Sequence, residues 1–257
     1  MSHACNRLLS LLPDLERRAV EPILTVRRLA QNDQLAESGA VIERIYFPHD
    51  AVISLVVPLS SGDTVETAMT GHDGVVGAGG VLNEGLSTTR AMVQLAGTCQ
   101  CCKTTALAGI LDDCPTLRRL LVRHEEALFA QVQQTAACNA THNIESRLAR
   151  WLLRARDLAG NDAFHLTQES MAEMMSVRRT SVTLIAHKFQ QSGLINYKRG
   201  HLQIVNPAAL AETACECYEA VKLNYDALGQ SETARRPGGA HSSIGHASLT
   251  LGLIDTL

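Results

Sequence analysis

The most constraining feature of this sequence is the segment 166–195, which carries start and stop signals for two short helices in succession. Thr167 can cap the first helix, Ser176 is predicted to cap the second, and Gly193 provides its C-terminal stop. Small Ala172 lets the two helices cross closely. The apolar residues that would form their shared core are Met171, Met175, Val177, Val182 and Ile185. The segment therefore predicts a helix-turn-helix, in which the second helix enters the major groove of DNA.

Two arginines stand at the start of the second predicted helix, where positive charge is unfavourable. Arg178 and Arg179 oppose the helix dipole at a cost of roughly 0.3–1 kcal/mol each, which makes sense if this end faces phosphates and base edges. After Gly193, two strand-like runs flank Lys198 and Arg199 and predict a hairpin wing with a basic tip. The residues predicted to contact double-stranded DNA are Thr167, Ser176, Arg178, Arg179, Thr180, Ser181, Thr183, Lys188, Lys198 and Arg199.

The distribution of charge agrees with a polyanionic partner. The 257-residue chain has a formal net charge of -3, but residues 147–201 carry nine basic and four acidic side chains. Residues 1–113 carry eight basic and thirteen acidic ones. A basic module on an otherwise acidic protein favours nucleic acid, although a solvated surface produces the same imbalance as readily.

The N-terminal part has a different character, with short β-strands separated by turn residues. Between residues 23 and 105, runs rich in β-branched residues alternate with turn signals such as Gly71 to Gly74. Leu111 to Pro115 then marks a helix start, and neither proline nor glycine follows until Gly160. The predicted fold is α+β, with a β-sandwich or roll as sensor domain in 1–112, a dimerisation helix in 113–142, a winged helix in 143–226 and a disordered tail in 227–257.

The long predicted helix carries apolar and small polar residues at alternating steps of three and four, the spacing of a coiled-coil seam. The residues predicted to form the dimer seam are Leu117, Leu121, His124, Leu128 and Thr135. The same pattern continues through Gln131, Cys138 and His142. An ordinary amphipathic helix packed against the β-domain would show the same spacing, so both interpretations stay open.

The stretch from Arg147 to Asp157, followed by Leu166-Thr-Gln-Glu and the helix-turn-helix, resembles the Crp/Fnr family of bacterial regulators over about residues 8–210. The resemblance implies a cyclic-nucleotide-binding-type β-roll, a long dimer helix and a winged helix. It also implies a homodimer on a two-fold symmetric operator, with RNA polymerase as a further partner. By the same resemblance Arg179 reads a base and Ser181 faces DNA. Two positions depart from the family pattern, because Thr180 replaces a base-contacting glutamate and Ser176 replaces a turn glycine.

The sensor domain departs from the family members that bind cyclic AMP. Those members hold the ribose with a Gly-Glu pair and the cyclic phosphate with an Arg-Ser pair, whereas the loop from Gly74 to Gly80 has no acidic residue. The positions where an effector pocket would lie are Gly77, Thr88, Thr89 and Arg90. We therefore expect DNA binding that does not depend on cyclic AMP. No cofactor is predicted, and the sequence assigns no effector.

The eight cysteines make a metal- or redox-sensing regulator the alternative function. Cys5 alone cannot hold an iron-sulfur cluster, which usually needs four thiolates. The other candidate ligands are Cys99, Cys101 and Cys102, the pair Cys215 and Cys217, and Cys138 four residues before His142. The cysteine pairs are spaced more tightly than usual zinc ligands, and the Cys-His pair suits a packed helix face. These thiols are interpreted as buried and apolar, and no metal site is predicted.

A metal enzyme of the jelly-roll type is the less favoured alternative. Such a site needs several histidines and an acidic residue around the metal, whereas His49 and His72 are isolated in the β-region. No catalytic residue is therefore predicted. No apolar run reaches the roughly 20 residues of a membrane span, and the N-terminus lacks the layout of a cleavable signal. The sequence predicts a cytoplasmic protein without a membrane partner.

Overall fold

The computed structural model describes residues 6–82 and 85–229. Cys5 and residues 230–257 of the predicted tail lie outside the described residues. The elements up to the long helix are α1 (Arg7–Ser10), α2 (Asp14–Val20), β1 (Thr25–Leu29), β2 (Gln34–Ala36), β3 (Arg44–Pro48), β4 (Val52–Pro58), β5 (Thr64–Thr70), α3 (Gly79–Leu82), β6 (Arg90–Leu95), β7 (Gly97–Lys103), α4 (Thr104–Ala108) and α5 (Pro115–Thr141). The elements that follow are α6 (Ile144–Ala159), β8 (Ala163–His165), α7 (Gln168–Met175), α8 (Arg179–Gln191), β9 (Ile195–Lys198), β10 (His201–Ile204), α9 (Pro207–Thr213) and α10 (Cys217–Asp226).

Two antiparallel sheets form the N-terminal domain. One has the strand order β1-β7-β3 and the other the order β2-β6-β4-β5. Tyr46 and Cys99 from the first sheet share a buried cluster with Ile53 and Val93 from the second. The two sheets therefore bury their apolar faces against each other, which confirms the predicted strand-rich domain and the α+β class.

α5 begins at Pro115, where the sequence predicted a helix start, and a distant carboxylate caps it. Glu16 in α2 accepts hydrogen bonds from the backbone N–H groups of Thr116 at 3.0 Å and Leu117 at 2.8 Å. Burial raises the pKa of Glu16, but the hydrogen bonds from Thr116 and Leu117 outweigh it, and the net effect is a lowered pKa. α2 is thereby fixed against the first turn of α5.

The predicted dimer seam faces the interior of its own chain. Leu117, Leu121 and His124 are wholly buried, and Thr135 is buried as well. The cause is that α10 and β5 pack along this face of α5. Leu128 is half-buried beside the β-domain. Leu117, Leu121, His124 and Thr135 thus meet the rest of the same chain, which favours the amphipathic interpretation, and the assignment of these five residues to a dimer seam stays a prediction.

α10 returns from the C-terminal domain and completes the core around α5. Tyr225 is buried, and its hydroxyl donates a hydrogen bond to Gln131 Oε1 at 2.8 Å. The Arg154 guanidinium lies 4.4 Å from the centre of the Tyr225 ring and donates to Asp73 Oδ2 at 2.7 Å. These contacts connect α5, α6 and α10 to the β-domain.

The C-terminal domain has the order of a winged helix. α5 ends at Thr141, and Asn143 caps α6 by accepting a hydrogen bond from the Ser146 backbone N–H at 2.9 Å. The three short strands form a sheet of order β8-β10-β9, and Trp151 and Phe189 contribute to the core shared with α7 and α8. Among the described residues, no helix combines the length and hydropathy that crossing a membrane requires.

Candidate nucleic-acid interface

Two residues that the sequence singled out determine where α7 begins and ends. Thr167 caps α7, and its Oγ1 accepts a hydrogen bond from the Ser170 backbone N–H at 3.0 Å. Ser176 ends α7 with a φ of 52°, a left-handed conformation that usually takes glycine. Ser176 is thus the C-cap of the first helix, and the prediction that it caps the second helix is wrong. Arg178 occupies the N-cap position of α8 and makes no side-chain cap bond there.

α8 has one buried face and one exposed face. Its buried side chains are Val182, Ala186 and Phe189. Its exposed side chains include the predicted contacts Arg179, Thr180 and Thr183, and also Leu184 and His187, which the sequence did not single out. Leu184 is 73% exposed, and an apolar side chain here suits the methyl group of a thymine. The helical period could have identified both residues, because each follows an exposed position by four residues.

Arg179 combines exposure with a place in the first turn of α8. Its side chain is 65% exposed, and Nη1 lies 3.3 Å from Glu169 Oε2 in α7. An ion pair between exposed side chains contributes at most about 1 kcal/mol, so the guanidinium can exchange this carboxylate for a base or phosphate. The Thr183 Oγ1 lies 2.7 Å from Gln168 Oε1 and joins α8 to α7 at the same exposed end.

Two predicted contacts differ from those at this exposed end, one by an ion pair and the other by partial burial. Lys188 Nζ lies 2.7 Å from Glu145 Oε2, which directs the side chain towards α6. Ser181 is only half-exposed. Their assignment as DNA contacts stays a prediction.

The wing is a two-residue hairpin with a basic tip. Lys198 pairs with His201, which leaves Arg199 and Gly200 as the turn. Their φ values of 50° and 81° are those of a type I′ turn, in which glycine relieves the strain of the second position. A Cβ at Gly200 would also come within 2.8 Å of His165 Nε2. Lys198 and Arg199 are both exposed, so the predicted basic tip is confirmed.

A cavity of about 480 Å³ lies between the β-domain and α5. Gly77, Thr88 and Thr89 line it, as the sequence predicted for an effector pocket, and Leu128 closes one side. Arg90 does not line this cavity. Its Nε donates to both carboxylate oxygens of Glu37, at 3.0 and 3.1 Å. The cation predicted for this pocket is therefore already paired with a carboxylate.

The cysteines of β7 are buried as expected. Cys99 and Cys101 belong to the cluster between the two sheets, whereas Cys102 points to the opposite face with the core around α5. Burial raises the pKa of Cys99 to about 12 and that of Cys102 to about 11. The Cys99 and Cys102 thiols are therefore neutral at physiological pH and behave as small apolar side chains.

Four other side chains, which form two separate pairs in the sequence, lie together in the structure. They are Cys138, His142, Cys215 and Cys217. Their potential ligand atoms all lie within 4.8 Å of one another. Within the part of the chain that the structure describes, this is the only such group of His, Cys, Asp and Glu, and it includes neither His49 nor His72.

Comparison with known proteins agrees with this architecture. Residues 146–213 match the family model described as a Crp-like helix-turn-helix domain. No curated protein matches the chain. FixK2 from Bradyrhizobium japonicum is 14% identical with a TM-score of 0.63, over 75% of this chain and 98% of that chain.

Two further solved structures give the same result. A transcriptional regulator of the Crp/Fnr family from Eubacterium rectale is 13% identical with a TM-score of 0.61, over 80% of this chain and 97% of that chain. TTHB099, a CRP-family regulator from Thermus thermophilus, is 19% identical with a TM-score of 0.59, over 74% of this chain and 99% of that chain. At these identities the likeness establishes the fold.

Proposed function

We propose that this chain is a transcriptional regulator of the Crp/Fnr type that binds a two-fold symmetric DNA operator as a homodimer, because residues 146–213 match a Crp-like helix-turn-helix domain and the fold is that of solved Crp/Fnr regulators. The observation that carries the proposal is the exposed end of α8, where Arg178 and Arg179 lie beside other exposed side chains of that helix. Lys198 and Arg199 on the wing tip supply a second basic contact. In this arrangement α8 lies in the major groove and the wing contacts the phosphate backbone.

The dimer interface in this proposal is the face of α5 opposite the β-domain. Its exposed side chains recur at alternating steps of four and three: Val122, Glu126, Phe129, Gln133, Ala136 and Ala140. We call these six residues the outer stripe of α5. Phe129 is 63% exposed and Val122 is 44% exposed, although both are large and apolar. A second copy of the same stripe would cover them with the spacing of a coiled coil.

The cavity beside α5 suggests how the regulator differs from those that respond to cyclic AMP. The cation that the sequence predicted for the cyclic phosphate, Arg90, is bound to Glu37 and lies outside the cavity lining. Glu37, Glu43 and Glu125 line the cavity together with Arg27 and Arg44, so its lining carries both signs of charge. Because the chain lacks the Gly-Glu and Arg-Ser pairs of the members that bind cyclic AMP, DNA binding in this proposal does not depend on cyclic AMP. By the family resemblance, RNA polymerase is the further partner.

The test is to select bound sequences from random duplexes with the purified full-length protein. We expect a motif with two inverted half-sites whose centres lie about one helical turn apart, roughly 10–10.5 base pairs. Sedimentation of the complex should give two chains per duplex. An asymmetric motif bound by one chain would contradict the homodimer, and the absence of any sequence preference would contradict the proposed function.

A further inference from the structure

The cluster of Cys138, His142, Cys215 and Cys217 joins two regions that are far apart in the sequence. Cys138 lies in the last turns of α5, and His142 is the residue that ends this helix. Cys215 lies in the connection between α9 and α10, and Cys217 is the first residue of α10. All three cysteines are buried and none forms a disulfide. Three sulfur atoms and one imidazole nitrogen thus point into one small volume.

The four ligand atoms are close enough for a single ion, and two of the distances between them match those of a tetrahedral site. With zinc–sulfur bonds of about 2.3 Å and zinc–nitrogen bonds of about 2.0–2.1 Å, tetrahedral ligands lie about 3.5–3.8 Å apart. The Cys138 and Cys215 sulfurs are 3.5 Å apart, and the Cys217 sulfur is 3.5 Å from His142 Nδ1. A polynuclear iron-sulfur cluster separates its thiolates more widely than the 4.8 Å that encloses this group. The geometry therefore favours one ion.

The surrounding side chains complete the site. Glu216 Oε1 lies 3.2 Å from His142 Nε2, the arrangement in which a carboxylate orients a metal-bound histidine. Gln134 Nε2 donates a hydrogen bond to the Cys217 sulfur at 3.0 Å. Arg150 carries positive charge towards Cys138, which would offset the excess negative charge of three thiolates on a divalent ion. The buried Nε of Arg150 has no hydrogen-bond partner among the described residues.

We propose that Cys138, His142, Cys215 and Cys217 bind one Zn²⁺ ion and fasten the end of α5 to the start of α10. Three cysteines and one histidine make a closed four-coordinate site, which suits a structural ion rather than a catalytic one. On binding, the three thiols release their protons to solvent and neutral His142 donates the lone pair of Nδ1, so the affinity falls as the pH is lowered. His142 and Asn143 connect α5 to α6, so the ion stabilises the junction between the β-domain and the DNA-binding domain.

The proposal is tested on the reduced full-length protein, with Co²⁺ as the spectroscopic probe. We expect one Co²⁺ per chain, with the intense visible absorption and the thiolate charge-transfer bands of a tetrahedral sulfur-rich site, both abolished by added Zn²⁺. Cys217→Ser and His142→Ala should lose these bands. His142 is partly exposed, so its variant remains informative if the buried cysteine variant fails to fold. Glu216→Gln should weaken binding by about 10–100-fold, the usual effect of losing an outer carboxylate.

Cys101→Ser is the matched control, because Cys101 is equally buried but lies in β7, away from the cluster. It should bind Co²⁺ like the wild type, and Zn²⁺ should raise the melting temperature of both but not that of His142→Ala. Wild-type protein without tetrahedral bands would overturn the proposal, as would equal binding by His142→Ala. A disulfide between Cys138 and Cys215 in place of metal binding would also overturn it and make the pair a redox site. None of these readouts involves DNA, so the result is independent of the proposed operator binding.

Discussion

Phe129 provides the sharpest test of the proposed dimer, because it is the largest exposed apolar side chain of the outer stripe. A phenylalanine buries about 150–250 Å² when covered, and the 63% that is exposed corresponds to about 95–160 Å² available to a partner. At about 25 cal/mol per Å², two copies in a symmetric dimer contribute about 5–8 kcal/mol. Alanine retains part of this contact, so we expect Phe129→Ala to weaken dimerisation by at least about 100-fold.

Sedimentation equilibrium over a range of protein concentrations measures this change directly. The control is Leu15→Ala, because Leu15 is also exposed but lies on α2, away from the outer stripe. Leu121→Ala is the contrasting variant. Leu121 is wholly buried inside its own chain, so its truncation should lower the free energy of unfolding by about 2–5 kcal/mol rather than alter dimerisation selectively. If Phe129→Ala left the dimer intact and a well-folded Leu121→Ala became monomeric, the outer stripe would be the wrong interface.

The remaining predictions concern DNA, ligand and pH. Arg179→Ala should reduce operator affinity by about 1–3 kcal/mol with little effect on random DNA, whereas Lys198→Ala should weaken both and reduce the salt slope by about one unit per lost contact. Binding isotherms across a salt series separate the two, and an equal loss on both DNAs for Arg179→Ala would exclude base reading. Cyclic AMP should leave operator affinity unchanged, and saturable calorimetric binding with tighter operator binding would refute this. Glu66→Gln should abolish a pH dependence of stability, as argued below.

The helix-turn-helix could be predicted from sequence because its signals are local. Thr167 caps α7 through a residue three positions away, and the apolar spacing within 166–195 needs no information from the rest of the chain. Ser176 is a position at which local sequence rules gave the wrong cap. A serine suits an N-cap by type, but its left-handed backbone makes it the end of α7. The choice depends on the crossing of two helices, which the residue type alone does not determine.

Neither the cover of α5 nor the grouping of Cys138, His142, Cys215 and Cys217 could be predicted, because each depends on long-range packing. The heptad-like spacing of α5 identifies a buried face, but it does not say whether a second chain or the same chain covers it. Here α10 covers this face, and the hydroxyl of its Tyr225 donates a hydrogen bond to Gln131, 94 residues earlier in the sequence. In the same way, Cys138 and Cys215 are 77 residues apart and meet only because α10 returns along α5. The short spacing within the pair Cys138 and His142, and within the pair Cys215 and Cys217, gave no sign that the two pairs lie together in the fold.

Glu66 lies where the β-domain meets α6, and its ionisation links that contact to pH. The carboxylate is buried in β5, where it accepts hydrogen bonds from the Ser54 hydroxyl and, at 2.8 Å, from Trp151 Nε1. Burial raises its pKa from 4.5 to about 7, although these hydrogen bonds and the positive charges of Arg150 and Arg154 oppose the shift. Glu66 therefore holds its proton more tightly in the folded chain than in the unfolded chain.

The sign of the effect follows from this raised pKa. Between about pH 4.5 and 7 the folded chain keeps a proton that the unfolded chain has lost, so the free energy of unfolding falls as the pH rises, by roughly 3 kcal/mol in all. Glu66→Gln is neutral at every pH and retains an acceptor for Trp151, so it should remove this slope. Urea unfolding at about pH 5 and about pH 8 measures the difference. An unchanged pH dependence in Glu66→Gln would show that other groups cause it. Loss of the pH dependence would show that the contact between the β-domain and α6 weakens in the wild type as the pH rises.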